Sequence, residues 1–402
     1  MERARIAIVG GGLVGPTLAL ALKSVGLDAI VIDATADADR RADDFDGRAY
    51  AIALGSQRLL SAIGVWDQIA GNAQEIATIH VGEGSGPEPL LHFDPRDLSE
   101  GCFGWIVEDR YLRRALLDAI SQTAIPCLSG ASVTAVARDT SCAALTLSDG
   151  REIRAELAVA ADGRRSSLAA EAGIRRLGWS YAQTGLVNAV EHDRPHNGVA
   201  HQSFFPGGPF AVLPLTDGRS SLVWSEQRMA AERLAALSDE AFTSEIAHRI
   251  GGRLGEVRLI GKRWAYPLDL TLASAYAAPR LALVGDAAHG VHPIAGQGMN
   301  MGLRDVAALT EVLIDAARLG EDLGNLAVLD RYQRWRRFNA TTLAFGMDGL
   351  NRLFSNNSAA LSTLRRAGLR AVDGLDTLRR GFMREAIGAQ GDAPKLLRGE
   401  AP

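Results

Sequence analysis

The chain is 402 residues long, with 47% hydrophobic residues, 22% charged residues and a formal net charge of −4. This length predicts two or three structural units, and the small negative charge argues against nucleic acid as a partner. Three scattered cysteines form no C-x-x-C motif, and no apolar run approaches the roughly 20 residues that span a bilayer. We expect a soluble cytoplasmic protein, or one peripherally associated with the inner face of the membrane.

The N-terminal segment carries a βαβ pattern. A short apolar strand at residues 6–9 is followed by the three glycines of a G-x-G-x-x-G motif: Gly10, Gly12 and Gly15. A helical segment and a second strand at residues 30–32 follow, with Asp33 at its end. The glycines permit a tight turn and a close backbone approach to a pyrophosphate, and Asp33 can accept hydrogen bonds from a ribose. The pattern predicts a dinucleotide, either NAD or FAD.

Two arginines in the next hundred residues are candidate phosphate ligands. Arg48 follows a glycine-containing loop, where it can pair with a phosphate or with neighbouring acidic residues such as Asp46. Arg110 lies at the start of a predicted helix, where a positive side chain opposes the helix dipole. That placement indicates a nearby anion or a solvated basic face, and both readings stay open.

The middle of the chain changes in character. A strand at residues 157–160 ends in Asp162-Gly163, a turn that is common in proteins. Short strands at residues 185–190, 199–205, 210–215 and 220–224 then predict an antiparallel sheet. A single helix is expected over residues 230–250, with a strand near 257–260 and a return to the nucleotide domain at about residue 278.

The segment from residue 281 to residue 305 indicates which dinucleotide binds. A buried strand ends in Gly285-Asp286, and a glycine-rich stretch leads into a helix that begins near Gly298. A carboxylate at a strand end suits a flexible polyol, and the ribityl chain of a flavin is one. The helix N-terminus would stabilise the negative pyrimidine edge of a reduced flavin. FAD is therefore the predicted cofactor.

Two histidines in this segment have the spacing H-x-x-H. His289 and His292 could suggest a metal, but no third ligand is apparent, so no metal site is predicted. Either histidine could instead act on a phenol proton, although a structural role in the loop is favoured. The sequence names no catalytic residue.

The three signatures occur in the order found in flavin-dependent aromatic hydroxylases related to p-hydroxybenzoate hydroxylase. Residues 292–305 (HPIAGQGMNMGLRD), residues 48–66 (RAYAIALGSQRLLSAIGVW) and the C-terminal LRRGFMREAIG resemble the ubiquinone-biosynthesis hydroxylases among them. This resemblance covers nearly all of residues 4–388. It implies that reduced flavin takes up dioxygen, forms a 4a-hydroperoxide and delivers OH to an electron-rich ring, with NAD(P)H as the expected electron donor.

The resemblance also implies a set of cofactor-binding residues. The three glycines would hold the pyrophosphate, Asp33 the adenosine ribose, the backbone at Val133 the adenine, and Asp286 the ribityl chain. Pro293 would lie beside the isoalloxazine, whose pyrimidine edge would face Gly298 and Met299. The predicted set is Gly10, Gly12, Gly15, Asp33, Arg48, Arg110, Val133, Asp162, Gly163, Gly285, Asp286, Pro293, Gly296, Gln297, Gly298, Met299 and Asn300.

These features predict an α/β fold with several parts. A Rossmann-like FAD-binding domain of the glutathione-reductase type would comprise residues 1–72, 98–180 and 275–345. An inserted antiparallel-sheet substrate domain would comprise residues 73–97 and 181–274. Helices would follow at 346–388 and a disordered tail at 389–402.

The C-terminal helices are strongly basic. From Arg331 to Glu385 there are 11 arginines, no lysine and four acidic residues, a balance of +7. Such a region can lie on an anionic membrane, where a polyprenylated substrate would reside, or it can pack on the core with solvated arginines.

The predicted function is hydroxylation of the aromatic ring of a polyprenylated ubiquinone precursor, with dioxygen as co-substrate. Two alternatives remain: hydroxylation of a soluble phenolic or other small aromatic compound, and a non-catalytic flavoprotein subunit of a lipid-biosynthesis assembly. A protein complex of ubiquinone biosynthesis is a candidate partner.

Overall fold

The computed structural model describes residues 2–42, 44–86, 88–98, 101–356, 358–388 and 392–402. The strands are β1 (Glu2–Val9), β2 (Ala29–Asp33), β3 (Ala49–Ala53), β4 (Ala73–Glu75), β5 (Thr78–Glu83), β6 (Leu91–Phe93), β7 (Gly104–Glu108), β8 (Cys127–Ser129), β9 (Val133–Arg138), β10 (Ala143–Leu147), β11 (Glu152–Ala160), β12 (Arg176–His192), β13 (Val199–Phe205), β14 (Gly208–Leu215), β15 (Arg219–Gln227), β16 (Val257–Ala273), β17 (Ala277–Ala278), β18 (Leu281–Leu283) and β19 (His289–Gly290). The helices are α1 (Val14–Ser24), α2 (Asp37–Arg40), α3 (Leu54–Ala62), α4 (Trp66–Ile69), α5 (Asp109–Gln122), α6 (Ser167–Glu171), α7 (Arg228–Ala235), α8 (Asp239–Ile250), α9 (Gln297–Arg318), α10 (Leu326–Phe354), α11 (Ala359–Gly374), α12 (Asp376–Ile387) and α13 (Lys395–Arg398).

The first sheet has a parallel centre in the order β18-β11-β1-β2-β8. Its central strands read as continuous apolar runs and are buried, as expected for a parallel sheet covered on both faces. The carboxyl ends of β1, β2, β11 and β18 meet at one edge. Each predicted glycine or acidic turn follows one of these strands, so the sheet brings the turns together.

The second sheet is almost wholly antiparallel, in the order β19-β16-β12-β15-β14-β13-β5-β6. It takes strands from both sides of the predicted insertion, and β12 already begins at Arg176, before the expected boundary at 181. We keep the division into domains as a proposal. The predicted helix over 230–250 was wrong, because the chain forms α7 and α8 with a break at Ser238, whose hydroxyl caps α8 by accepting from the Ala241 amide at 3.3 Å.

One row of side chains crosses the second sheet in register and is called here the inner row: Gln202, Ala211, Val223, Val187 and Trp264. Directly paired residues share a face of a sheet. The opposite face carries Phe210, Trp224 and Leu186, which are fully buried beneath α8. Every member of the inner row is only half-buried.

The inner row faces the nucleotide-binding part of the protein. Trp264 donates its indole N–H to the Asp46 carbonyl at 2.7 Å, and the nearby Ser221 hydroxyl donates to the Gly47 carbonyl at 3.1 Å. Two of the C-terminal helices, α10 and α12, also pack against this face of the sheet. Phe354 of α10 stacks on Phe204 at 4.0 Å between ring centroids, and Met383 of α12 joins the same apolar cluster as residues of β13 and β14.

The predicted disorder of the tail was wrong for residues 392–402, while residues 389–391 lie outside the described part of the chain. Leu396 and Leu397 are buried against the main core, and α13 contacts α3 and α9. Two leucines that bury most of their surface can offset the entropy of ordering a short segment. In the sequence the two leucines are surrounded by small and charged residues, a composition that is typical of disordered tails.

Candidate cofactor site

The glycine-rich turn between β1 and α1, residues 10–15, leaves the backbone without side chains at its three motif glycines. Gly10 has φ +119°, and a Cβ there would lie 2.2 Å from the Ala161 carbonyl oxygen. A Cβ on Gly15 would lie 1.9 Å from the Gly10 oxygen, so the first and third glycines are required by the fold itself. A Cβ on Gly12 would meet nothing within 4 Å, which leaves room for a ligand.

The N-terminus of α1 lies at this turn without a capping side chain and without an acidic residue in its first turn. Its first backbone N–H groups are therefore available to an anion. Pro16 lies within the first turn, where its missing N–H costs no hydrogen bond.

Asp33 lies at the end of β2, beside the turn. One carboxylate oxygen accepts from the Thr35 amide at 2.7 Å and the other accepts from the Gly11 amide. The Asp33 carbonyl accepts from Ala131 at 3.0 Å, which brings the start of β9, and thus Val133, to the same edge. This is the arrangement that an adenosine would need.

Arg40 lies beside the glycine-rich turn, a position that sequence reasoning missed. Its side chain is buried, donates to the Ser129 hydroxyl at 2.6 Å and lies against the backbone of Gly11. It is the first of two adjacent arginines in an acidic stretch, and nothing in that pattern distinguishes it from a surface residue.

Arg48 and Arg110 both pair with carboxylates of the protein. The Arg48 Nε donates to Asp46 at 2.8 Å and its guanidinium lies 5.1 Å from the centre of the Trp264 ring. The ion pair with Asp46, which was the alternative reading, is therefore present. Arg110 donates to Glu108 at 2.8 Å. The Arg48 side chain keeps 35% of its surface exposed, so contact with a phosphate stays a prediction.

The Asp162-Gly163 turn stacks on the glycine-rich turn through the Ala161 carbonyl that faces Gly10. One oxygen of Asp162 accepts from the amide of Ser167, the first residue of α6, at 2.8 Å. The other oxygen is buried and has no hydrogen-bond partner among the described residues. An orphaned carboxylate oxygen at this edge fits a ligand that brings donors.

Asp286 lies in a 3-10 helix, Gly285–Ala287, directly after β18. Its carboxylate is half-exposed and accepts from Arg164 at 3.1 Å. Gly285 adopts φ +60°, and its amide donates at 2.9 Å to the carboxylate of Asp305 on α9. The hydrogen bond to Asp305 thus fixes the turn that carries Asp286 to helix α9.

Asp305 is the second residue that sequence reasoning missed. It is fully buried, and besides the Gly285 amide it accepts from His289 at 2.6 Å and from Arg336 of α10 at 2.8 Å. Burial alone would raise the pKa of Asp305, but His289 and Arg336 hold it below its usual range. The available signal was a charged residue among the apolar positions of α9.

The start of α9 forms the other end of the site. A second 3-10 helix, Ile294–Gly296, follows Pro293, and Gly296 takes φ +61° with its Cβ position only 2.9 Å from Ala51. The helix begins at Gln297 without a capping side chain or an acidic residue in its first turn, and a Cβ on Gly298 would meet nothing within 4 Å. The first-turn N–H groups can therefore face an electron-rich ring edge.

The Asn300 side chain binds other parts of the protein, and its predicted contact with the cofactor stays a prediction. Its side-chain oxygen accepts from the Ala53 amide at 3.0 Å and from Ser56 at 2.8 Å, and its nitrogen donates to the Ala51 carbonyl at 2.9 Å. These hydrogen bonds join β3 and α3 to the start of α9. They thereby fix the helix end on which Gly298 and Met299 lie.

His292 is fully buried beside the ring of Tyr181, at 5.2 Å between ring centroids, and neither of its ring nitrogens has a partner among the described residues. Burial lowers the pKa of His292 to about 4, so the ring is neutral at physiological pH. His289 is committed to Asp305. Within the described ranges, no group of three or more metal-ligating side chains is assembled.

A surface cavity of about 410 Å³ lies elsewhere, at the amino ends of β1, β2 and β8. Ligands of doubly wound sheets bind outside the carboxyl ends of the strands. We therefore place the cofactor at the glycine-rich turns and not in this cavity.

The groups at the carboxyl edge fit FAD: the open Gly12 at a helix start, the Asp33 carboxylate at the end of β2, the orphaned oxygen of Asp162 and the half-exposed Asp286. A model of the FAD-binding domain family matches residues 3–344. Over 400 residues the chain is 46% identical to the ubiquinone hydroxylase UbiL of Rhodospirillum rubrum, covering 98% of this chain and 93% of that protein. The chain belongs to the FAD-dependent hydroxylases of ubiquinone biosynthesis.

This hydroxylase is also 36% identical to the 3-demethoxyubiquinol 3-hydroxylase of Escherichia coli over 386 residues, covering 95% of this chain and 98% of that protein. Among solved structures, the p-nitrophenol 4-monooxygenase PnpA of Pseudomonas putida matches with a TM-score of 0.81 and 20% identity, covering 96% and 99% of the two chains. That likeness shows the fold. FAD as cofactor, the monooxygenase class and the α/β fold with a helical C-terminus are confirmed.

Proposed function

We propose that this hydroxylase adds oxygen to the aromatic ring of a polyprenylated ubiquinone precursor, with FAD, dioxygen and NAD(P)H. The observation that carries the proposal is the inner row, whose side chains are only half-buried and which is joined through Trp264 to the loop that carries Asp46. Four of its five side chains are apolar. Such a wall suits a lipophilic aromatic ring and excludes water from it.

The cofactor roles of the site residues are part of the proposal. Gly10, Gly12 and Gly15 hold the pyrophosphate with α1, while Asp33 and Val133 hold the adenosine. Asp286 holds the ribityl chain, and the first turn of α9 faces the pyrimidine edge. When bound, FAD supplies the activation of dioxygen. The residues of this chain bind and orient the two reactants and keep the space between them dry.

Purified, FAD-loaded protein supplied with NAD(P)H and dioxygen should add one oxygen atom to a short-chain prenylated phenol, as measured by mass spectrometry with ¹⁸O₂. The matched soluble phenol without the tail should react much more slowly, because it buries less apolar surface. Equal rates on both would favour a hydroxylase of soluble phenols. Oxygen consumption that yields only hydrogen peroxide with every precursor would favour the non-catalytic flavoprotein. Quinone intermediates that accumulate in cells lacking the protein would identify the ring position.

Peripheral contact with an anionic membrane is proposed for α12. No helix in the described ranges is long and apolar enough to cross a bilayer. Leu378 and Phe382 of α12, with Leu375 just before the helix, are about half-exposed along one side. Arg380 and Arg384 are also exposed, but the 3.6-residue period puts them on the other side of the helix. The buried side of α12 carries Met383 and Ile387 into the apolar cluster that includes Ala200 of β13 and Leu215 of β14. One helix would thus touch both the lipid and the proposed substrate space.

The charge count of +7 overstates the attraction to such a membrane. Arg336 and Arg365 are buried and paired with Asp305 and Glu83. Other arginines of the region also pair with acidic residues: Arg331, Arg334, Arg352, Arg366 and Arg379. The apolar side of α12 therefore has to supply much of the proposed membrane affinity.

The double variant Leu378→Ser, Phe382→Ser is expected to bind anionic vesicles roughly thirty-fold more weakly, since it loses about 2 kcal/mol of apolar burial. Vesicle flotation of the FAD-loaded protein measures the effect. Leu319→Ser, just after α9, removes a leucine that is even more exposed, at 73% against 49% for Leu378, and should leave flotation unchanged. Equal flotation of all three proteins would contradict membrane contact through α12. Loss of binding to another ubiquinone-biosynthesis protein in the double variant alone would assign the stripe to that assembly.

A further inference from the structure

We propose that the side-chain amide of Gln202 orients the substrate by donating a hydrogen bond to an oxygen on its aromatic ring. This inference rests on the proposed function and deepens it. Gln202 is the one polar member of the inner row, in register with Ala211 on the neighbouring strand. Of the five it lies farthest from Trp264, and its neighbour on the other side is the buried Val81 of β5.

The position of Gln202 on β13 directs it toward the proposed substrate space. Ala200 and Phe204 lie two residues away on the same face of the strand. Ala200 belongs to the cluster that includes Met383 of α12, and Phe204 stacks on Phe354 of α10. Gln202 therefore lies between two apolar contacts to the C-terminal helices.

The amide nitrogen of Gln202 is buried and has no hydrogen-bond acceptor among the described residues. An unsatisfied buried donor costs about 1–3 kcal/mol, so native proteins rarely keep one without a use. A ring hydroxyl, phenolate or methoxy oxygen would satisfy the donor, whereas an isoprenoid tail would not. The bond would thus fix which edge of the ring points toward the second sheet and which is left for reaction.

Asn188 provides a comparison from the opposite face of the same sheet. Its side-chain atoms are also buried and unpartnered within the described part of the chain, but it pairs with Leu222 on the opposite face, beneath α7 and α8. No ligand beside the flavin could reach it. Of these two orphaned amides, only that of Gln202 faces the substrate space.

The test compares a short-chain prenylated phenol with the same molecule in which hydrogen replaces the ring hydroxyl. Binding to FAD-loaded, full-length protein is followed by the change in flavin absorbance. Gln202→Met keeps the side-chain length and removes the donor. It should weaken binding of the phenol roughly ten- to a hundred-fold and leave binding of the deoxy analogue and the FAD content unchanged. Gln227→Met, an exposed glutamine on the same sheet, is the matched control and should change neither affinity.

Gln202→Glu adds a second measurement, since a carboxylate cannot donate. Its affinity for the methyl ether of the phenol, whose oxygen can only accept, should fall at least as far as that of Gln202→Met. The phenol itself can donate to the carboxylate, so its affinity should recover in part at a pH where the phenol is protonated. An equal loss for the phenol and its deoxy analogue, or no loss for either, would overturn the role of Gln202. If wild-type protein binds the phenol with the predicted dependence on Gln202 but never hydroxylates it, the proposed function alone fails. If wild-type protein binds neither ligand, both proposals fail.

Discussion

The Asp305→Ala variant is expected to lose about 3–5 kcal/mol of unfolding free energy and to purify with little FAD. The carboxylate accepts hydrogen bonds from His289, Arg336 and the Gly285 amide while fully buried. Its removal leaves the nearly buried Arg336 guanidinium without its counter-charge. It also releases the turn that presents Asp286. Urea unfolding and the flavin absorbance of the purified protein measure the two effects.

The control for this variant is Asp315→Ala, which removes an exposed carboxylate from the same helix and should cost less than about 0.5 kcal/mol. The pH dependence gives a further check, because the folded state lowers the pKa of Asp305. Its contribution is complete above the unfolded pKa of about 4 and is lost as the pH falls through the folded value. The difference between wild type and variant should therefore shrink in acid. A constant difference across that range would contradict the assignment.

The second large effect concerns the glycine-rich turn, where two glycines should respond in different ways to alanine. In Gly15→Ala the new Cβ would lie 1.9 Å from the Gly10 carbonyl oxygen, which forces α1 away from β1. We expect a loss of about 3 kcal/mol or more, in the range of severe overpacking. Thermal unfolding of the cofactor-free protein measures it.

Gly12→Ala should leave that unfolding temperature nearly unchanged, since its Cβ would meet nothing within 4 Å of the protein. It should nevertheless weaken FAD binding at least roughly tenfold, because the methyl group would occupy the path of the pyrophosphate. Fluorescence titration with FAD separates the two variants. Equal FAD affinity of Gly12→Ala and wild type would place the pyrophosphate elsewhere.

The sequence alone determined the class of fold, the cofactor and the family of this protein. Those features depend on short segments in which each residue acts on its near neighbours, such as the glycines after β1, Asp33 at the end of β2 and Gly285-Asp286 after β18. Strand ends of a parallel sheet meet at one edge, so the order of the motifs was enough to assemble them. The roles of the individual cofactor residues remain predictions.

Only the tertiary structure decided how the site is supported and what faces it. Asp305 meets His289 and Arg336 across 16 and 31 residues of chain, and no local pattern encodes which buried carboxylate finds which cation. The inner row exists because four pairs of strands adopt one register, and a shift by a single residue would turn Gln202 to the other face. Local pattern therefore specified the cofactor, while long-range pairing and register specified the space in which a substrate can lie.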